Sequence, residues 1–294
     1  MSTLPGTPKG HTTPRARTAG ELLRLVGVSK SYRRGSQELC VLREANLDVR
    51  PGEWVCVLTT HSQGGTTLLR LAAGFEIADS GVVSFEGQDL AACSDDELSG
   101  LLGERIAWVG KHGPRTGVQM FDYIAMPLLG RGGERGKGGN VIGRWLARRA
   151  YRRTVPDRVQ AALERVGAAG CARQHWDTMS DWERALVALA HAIAGDPELL
   201  LLDDVTNNLG KFETADFTKL VRAISEERQL GVLMNVSDDR ATMLCDRIVT
   251  LAGGRLSEGP RPSVIQEPPP PPGKVFDFPG VGSPHLEAGH ASSS

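Results

Sequence analysis

Aromatic residues make up only 5% of the 294-residue chain, and no apolar run approaches the roughly 18 residues that a membrane-crossing helix needs. The opening residues also lack the apolar core of a secretory signal. The sequence therefore predicts a soluble chain that does not cross a membrane by itself. Net charge is almost absent, at -1, which together with the few aromatics gives no reason to expect nucleic acid. The five cysteines (Cys40, Cys56, Cys93, Cys171, Cys245) are odd in number, scattered and mostly within apolar runs. That pattern argues for reduced thiols in the cytosol rather than a disulfide framework or a zinc site, and the histidines show no metal-ligand spacing.

What is present is organised around residues 53–70. Trp54 to Leu58 reads as a buried strand and Thr66 to Gly74 as a helix, joined by a turn rich in Gly, Ser and Thr. Strand, tight turn and helix can be plain architecture. They are also the context in which backbone N–H groups and a helix N-terminus hold phosphate. A working phosphate loop reads G-x-x-x-x-G-K-[ST]; aligned on Thr66 and Thr67, this chain has Thr59 at the first glycine and Gly65 at the lysine. The missing lysine is the motif's one side-chain cation for the β- and γ-phosphates. Losing a charge-assisted contact of that kind costs about 1.5–3 kcal/mol, one to two decades of affinity. Thr66 could still ligate Mg²⁺, and Gly64 and Gly65 still permit a close backbone approach.

The remainder of the chain reads as alternating elements. Residues 1–20 are a Thr-, Pro- and Gly-rich lead-in. Leu25 to Val28, Leu39 to Leu42 and Ala45 to Val49 read as antiparallel strands, with Tyr32 just after the first. Strands are expected at 82–85, 106–109, 199–202, 232–236 and 247–251, and helices at 95–102, 157–166, 183–194, 212–227 and from Asp239. Alternation of this kind predicts a mostly parallel α/β sheet with its ligand site at the strands' carboxyl ends. Between Arg131 and Arg153 lie eight Lys/Arg and one acid, Glu134. This stretch is either a solvated insertion or a surface for anionic lipid head groups or a membrane partner. Residues 259–294, with Pro268 to Pro272, read as a disordered or polyproline II tail.

Four leucines followed by Asp203-Asp204 suit a carboxylate at a strand tip that holds Mg²⁺. At this point the chain resembles the ATP-binding subunit of ABC transporters over roughly residues 22–258. The resemblance rests on Ser29-Lys30-Ser31-Tyr32, Gly52-Glu53-Trp54, Thr66 to Leu71, Asp79-Ser80-Gly81, Asp196-Pro197-Glu198 through Asn207-Asn208-Leu209, Asp246 to Val249 and Gly253 to Leu256. Phe121 to Gly130 resembles the subgroup whose permeases export lipoproteins and macrolides. The resemblance implies an α/β, P-loop NTPase-like (RecA-like) core with an antiparallel β subdomain and an inserted α-helical subdomain at about 111–185, all within residues 21–258. It also implies ATP and Mg²⁺ as ligands, membrane permease subunits as partners, and a place on the inner, cytoplasmic face of the cell membrane.

Matched position by position, the resemblance retains Tyr32 as the aromatic that stacks on adenine, Thr66 with Thr67 in the loop, and Asp203 as the Mg²⁺-holding acid. Asp204 stands where the family has a catalytic glutamate, one methylene shorter. Lys111 stands for the glutamine that senses Mg²⁺ and water, Asp238 for the histidine that contacts the γ-phosphate, and Gly210 for an acid in the inter-subunit loop. The signature segment Leu-Ser-Gly-Gly-Gln reads Met179-Ser180-Asp181-Trp182-Glu183, which is expected to turn bulk and negative charge towards a polyanion. Two like charges about 4 Å apart repel by roughly 1–4 kcal/mol. The resulting expectation is a pseudo-ATPase, inactive or very slow, that pairs with a second, intact ABC ATPase subunit. The alternatives are a weak ATPase using Lys111 or Arg70 as a replacement cation, a nucleotide-binding module without turnover, and a nucleotide-independent interaction protein.

Overall fold

The computed structural model describes residues 20–35, 37–59, 64–110, 113–114, 117–131 and 141–259. The expected lead-in and the proline-rich tail lie almost wholly outside these residues, as do Lys111 and the glycine-rich part of the basic insertion. The α/β class is as expected, built as two sheets.

The first sheet is antiparallel, in the order β2-β1-β4-β5, from β1 (Leu23–Arg34), β2 (Gln37–Val49), β4 (Ser80–Phe85) and β5 (Gln88–Asp89). The sequence divides residues 39–49 into two strands; the chain instead runs through as one. The extra residue is absorbed by register shifts against β1 and by Glu44, whose backbone turns to φ 48° while its N–H donates to Ser29 Oγ. Tyr32 accordingly sits within β1 rather than after it.

The second sheet has the order β10-β9-β3-β8-β7-β6, from β3 (Trp54–Thr59), β6 (Ile106–Val109), β7 (Leu199–Asp203), β8 (Gly231–Val236), β9 (Arg247–Ala252) and β10 (Arg255–Glu258). Its pairings are parallel except for the hairpin of β9 with β10, a strand that the sequence pattern does not announce. Continuous apolar runs are what a sheet covered on both faces requires, and the period of two sorts their side chains. Trp54, Cys56, Leu200 and Leu202 face one core cluster, with α5 (Asp181–Ile193) and α6 (Lys211–Arg228). Val55, Val57, Leu199 and Leu201 face the other, with α1 (Gly65–Ala72) and the antiparallel sheet.

Between β6 and β7 the chain passes through α3 (Met120–Arg131), α4 (Val141–Arg165), two 3₁₀ turns and α5, while α2 (Asp95–Glu104) precedes β6. The sequence starts the fourth helix at Asp157, after a proline. The structure carries α4 through Pro156, and buried Val155, Val159, Ala162 and Leu163 form one apolar stripe across it. The helix expected from Asp239 is a single 3₁₀ turn, Asp239–Thr242, started by the Asp238 side chain.

Leu200 is fully buried in the central sheet, so Leu200→Ala is expected to lower stability by about 2–5 kcal/mol. Urea unfolding should show a reduced midpoint at an unchanged denaturant slope.

Candidate functional site

The carboxyl ends of β3, β7 and β8 meet the start of α1, and Gly64, Gly65, Thr66 and Asp203 gather there. Gly64 caps α1 at φ 93°, a left-handed conformation that glycine adopts freely, and a Cβ there would come within 2.7 Å of the Val41 carbonyl oxygen. No acid lies in the first turn of α1, so its N-terminus keeps its positive partial charge. The preceding loop, 60–63, lies outside the described residues.

Thr66 Oγ1 lies 3.0 Å from both oxygens of Asp203, a carboxylate only 5% exposed. Bonds of about 2.1 Å in octahedral geometry separate adjacent ligands by about 3.0 Å, so this oxygen pair fits two neighbouring positions around Mg²⁺. Among the described residues, no group of three or more His, Cys, Asp or Glu could hold a metal. Water and phosphate would therefore complete such a shell, as Mg²⁺ commonly prefers.

Asn235, which does not stand out in the sequence, joins this pair. Its Nδ2 donates to Asp203 Oδ1 at 2.9 Å, and Thr59 Oγ1 donates to its Oδ1 at 3.2 Å. Its signal in the sequence is a carboxamide within an otherwise apolar strand, where a buried polar group must find partners. Asp204 follows at φ 51°, buried, accepting from Ser237 Oγ at 2.9 Å.

Other expected residues are engaged elsewhere. Asp238 accepts from the Arg240 backbone N–H at 2.8 Å and from its guanidinium at 2.6 Å; these contacts hold the Asp238 carboxyl below the usual range. The Tyr32 hydroxyl donates to Glu76 and lies 3.3 Å from Thr67 Oγ1. Partial burial, with the Glu76 contact, raises its pKa. Arg70, the other cation within reach of this loop in the sequence, pairs with the same Glu76 at 3.2 Å. Gly210 caps α6, its N–H donating to Glu213 at 2.8 Å.

The signature segment is organised by a capping box. Ser180 Oγ accepts from the Glu183 N–H at 3.2 Å, and Glu183 Oε2 accepts from the Ser180 N–H and hydroxyl at 2.9 Å each. The start of α5 is thus served by its own carboxylate. Asp181 pairs with Arg184 at 3.2 Å, and Trp182 packs part-buried against the larger core cluster. Trp182 is thus partly buried against the core, while Asp181 stays exposed and both acids have local partners. One cleft brings the two acidic segments together, lined by Trp176, Asp181, Arg184, Asp204, Asn207 and Leu209.

This geometry agrees with the comparisons. The ABC transporter family profile matches residues 42–207, more than half of the chain. The lipoprotein-releasing system ATP-binding protein LolD of Chromohalobacter salexigens is 29% identical over 238 residues, 81% of this chain and 93% of that protein. The protein of the same name in Pseudomonas syringae is 30% identical over 79% of this chain and 95% of its own length. The sulfate/thiosulfate import ATP-binding protein CysA of Bacillus cereus is 30% identical over 88% of this chain and 66% of that protein. The dimeric structure of MJ0796, described as a bacterial ABC transporter cassette, superposes with TM-score 0.68 at 21% identity, covering 80% of this chain and 96% of that one. The chain belongs to the ABC transporter family, and its fold is that of the family's ATP-binding cassette.

Glu183 titrates below the usual glutamate range, held there by the Ser180 backbone N–H and then by its hydroxyl. A carboxyl depressed by folding contributes stability above its ordinary pKa and loses it as pH falls through the folded value. Wild type should therefore melt above Glu183→Gln at neutral pH, with the gap closing on acidification; melting curves at graded pH check this. A gap independent of pH would remove the carboxylate from the account.

Proposed function

We propose that this chain is a degenerate ATP-binding subunit of an ABC transporter, a pseudo-ATPase that pairs with an intact ATPase subunit on a separate membrane permease. The observation that carries this reading is the start of α5, where the Glu183 carboxylate accepts the Ser180 backbone N–H and the Ser180 hydroxyl accepts the Glu183 N–H, so two backbone donors there already have partners. Residue 65 supplies no cation, which is worth one to two further decades of affinity.

The pairing geometry sharpens the reading. In the family each nucleotide lies between one subunit's phosphate loop and the other's signature segment. Paired with an intact subunit, this chain would contribute its altered loop to one site and its altered signature to the other. Both composite sites are thereby impaired, and a pair of identical chains is inert. Thr66 and Asp203 are the residues that would hold Mg²⁺, which supplies neutralising charge to the phosphates. The cassette is taken as residues 21–258, with its helical part near 111–185, on the cytoplasmic face of the membrane. No helix among the described residues is long and apolar enough to cross a membrane. The LolD-named relatives favour a permease of the lipoprotein-releasing type.

A second reading, nucleotide binding without turnover, is favoured by one observation: Tyr32, Thr66, Thr67 and Asp203 are linked around the start of α1.

Steady-state phosphate release from Mg-ATP by the purified chain is expected to match that of Thr66→Ala and Asp203→Asn, both at background. Turnover that either substitution abolishes would instead make the chain a weak ATPase.

A further inference from the structure

Residue 65 opens α1 and carries no side chain, and the space that one would enter is already filled. An ideal Cβ there would lie 2.1 Å from Asn235 Oδ1, 2.5 Å from Asn235 Cγ and 2.7 Å from Thr59 Cγ2. The Gly65 backbone is helical, so the obstacle is steric rather than conformational. Asn235 is itself only 2% exposed and cannot swing into solvent. It is held from both ends of its carboxamide, by Asp203 at 2.9 Å and by the Thr59 hydroxyl at 3.2 Å.

We propose that Asn235 takes the place of a basic side chain at position 65: its carboxamide fills the volume such a side chain would cross and donates to the Asp203 carboxylate without bringing positive charge. Asp203 is a buried acid, and a buried charge must be paired or hydrogen-bonded. Asn235 and Thr66 supply those donors with no cation from residue 65. Positions 65 and 235 are therefore coupled, and lysine restored at 65 alone meets a filled site. This inference deepens the pseudo-ATPase reading and rests on it for one point, that residue 65 is where a phosphate-binding cation would stand.

The test is a double-mutant cycle of Gly65→Lys and Asn235→Ala in a Thr59→Ser background, which keeps the hydroxyl and removes the nearby methyl. Gly65→Lys alone should melt several degrees lower; if it does not fold, recovery of folding in the combination stands in place of the summed shifts, and the combination's affinity is compared with the two proteins that do fold. The combination should fold and melt above the sum of the two single shifts. The binding probe is magnesium tripolyphosphate, followed by titration calorimetry. The combination is expected to bind it at least about tenfold tighter than the other three proteins, the range of one charge-assisted contact. Both results are required. Additive melting shifts, a combination that does not fold, or equal tripolyphosphate affinity in Gly65→Lys alone would each overturn the proposal. ATP hydrolysis by the wild-type chain would overturn the pseudo-ATPase reading, whereas the coupling of Asn235 to position 65 stands or falls on the double-mutant cycle.

Discussion

The Asp203 carboxylate is the constraint around which this end of the molecule is arranged. It closes a strand of four buried leucines, is nearly excluded from water, and carries a charge that must be held by neighbours. Its donors come from two other elements, Thr66 at the start of α1 and Asn235 in β8. Thr59, at the end of β3, then donates to both Asn235 and the Val236 carbonyl. One buried acid thus ties together three parallel strands and α1, the helix that follows β3. Removing a single partner would leave a buried charge undersatisfied, a loss on the order of 1–3 kcal/mol or more.

The same local satisfaction recurs at the other acids of the cleft. Glu183 caps its own helix, Asp181 pairs with Arg184, Asp238 is held by Arg240, and Asp204 accepts from Ser237. Each is a position that the resemblance matches to a family residue directed at phosphate or water. Here the side chains have nearer partners within their own turn or just beyond the adjacent strand. The exposed ion pairs among them, Asp181 with Arg184 and Asp238 with Arg240, are individually worth little, from about 0 to 1 kcal/mol. Their consequence is directional: two backbone donors at the start of α5, the Ser180 and Glu183 N–H groups, are already engaged.

Much of this is legible in the sequence, and the exceptions have physical causes. The strands of the parallel sheet are readable because burial on both faces demands unbroken apolar runs, as at Leu199–Leu202 and Trp54–Leu58. The strand, turn and helix of residues 54–74, with glycine where a phosphate loop has lysine, are also readable from spacing, although the same pattern alone also serves as plain architecture. Local signals mislead where tertiary contacts override them. Glu44 hides a bulge inside one long strand, and the buried stripe of α4 carries its helix across Pro156. The orientation of Trp182 does not follow from the glycines that its segment replaces, because the core that receives the ring is built from distant elements. Asn235 is inconspicuous because its partners lie 32 and 176 positions away in the chain. Its role emerges only when β3, β7 and β8 lie side by side.

The measurement that tests the account most directly is the melting temperature of the purified chain with and without millimolar Mg-ATP. A nucleotide present at about 100 times its Kd adds about 2.7 kcal/mol to stability, a shift of several degrees for a domain of this size. With no cation at residue 65 and its polar neighbours engaged with one another, the account predicts no resolvable shift. A rise of several degrees, lost on replacing Tyr32 or Thr66, would contradict it and make the chain a nucleotide sensor.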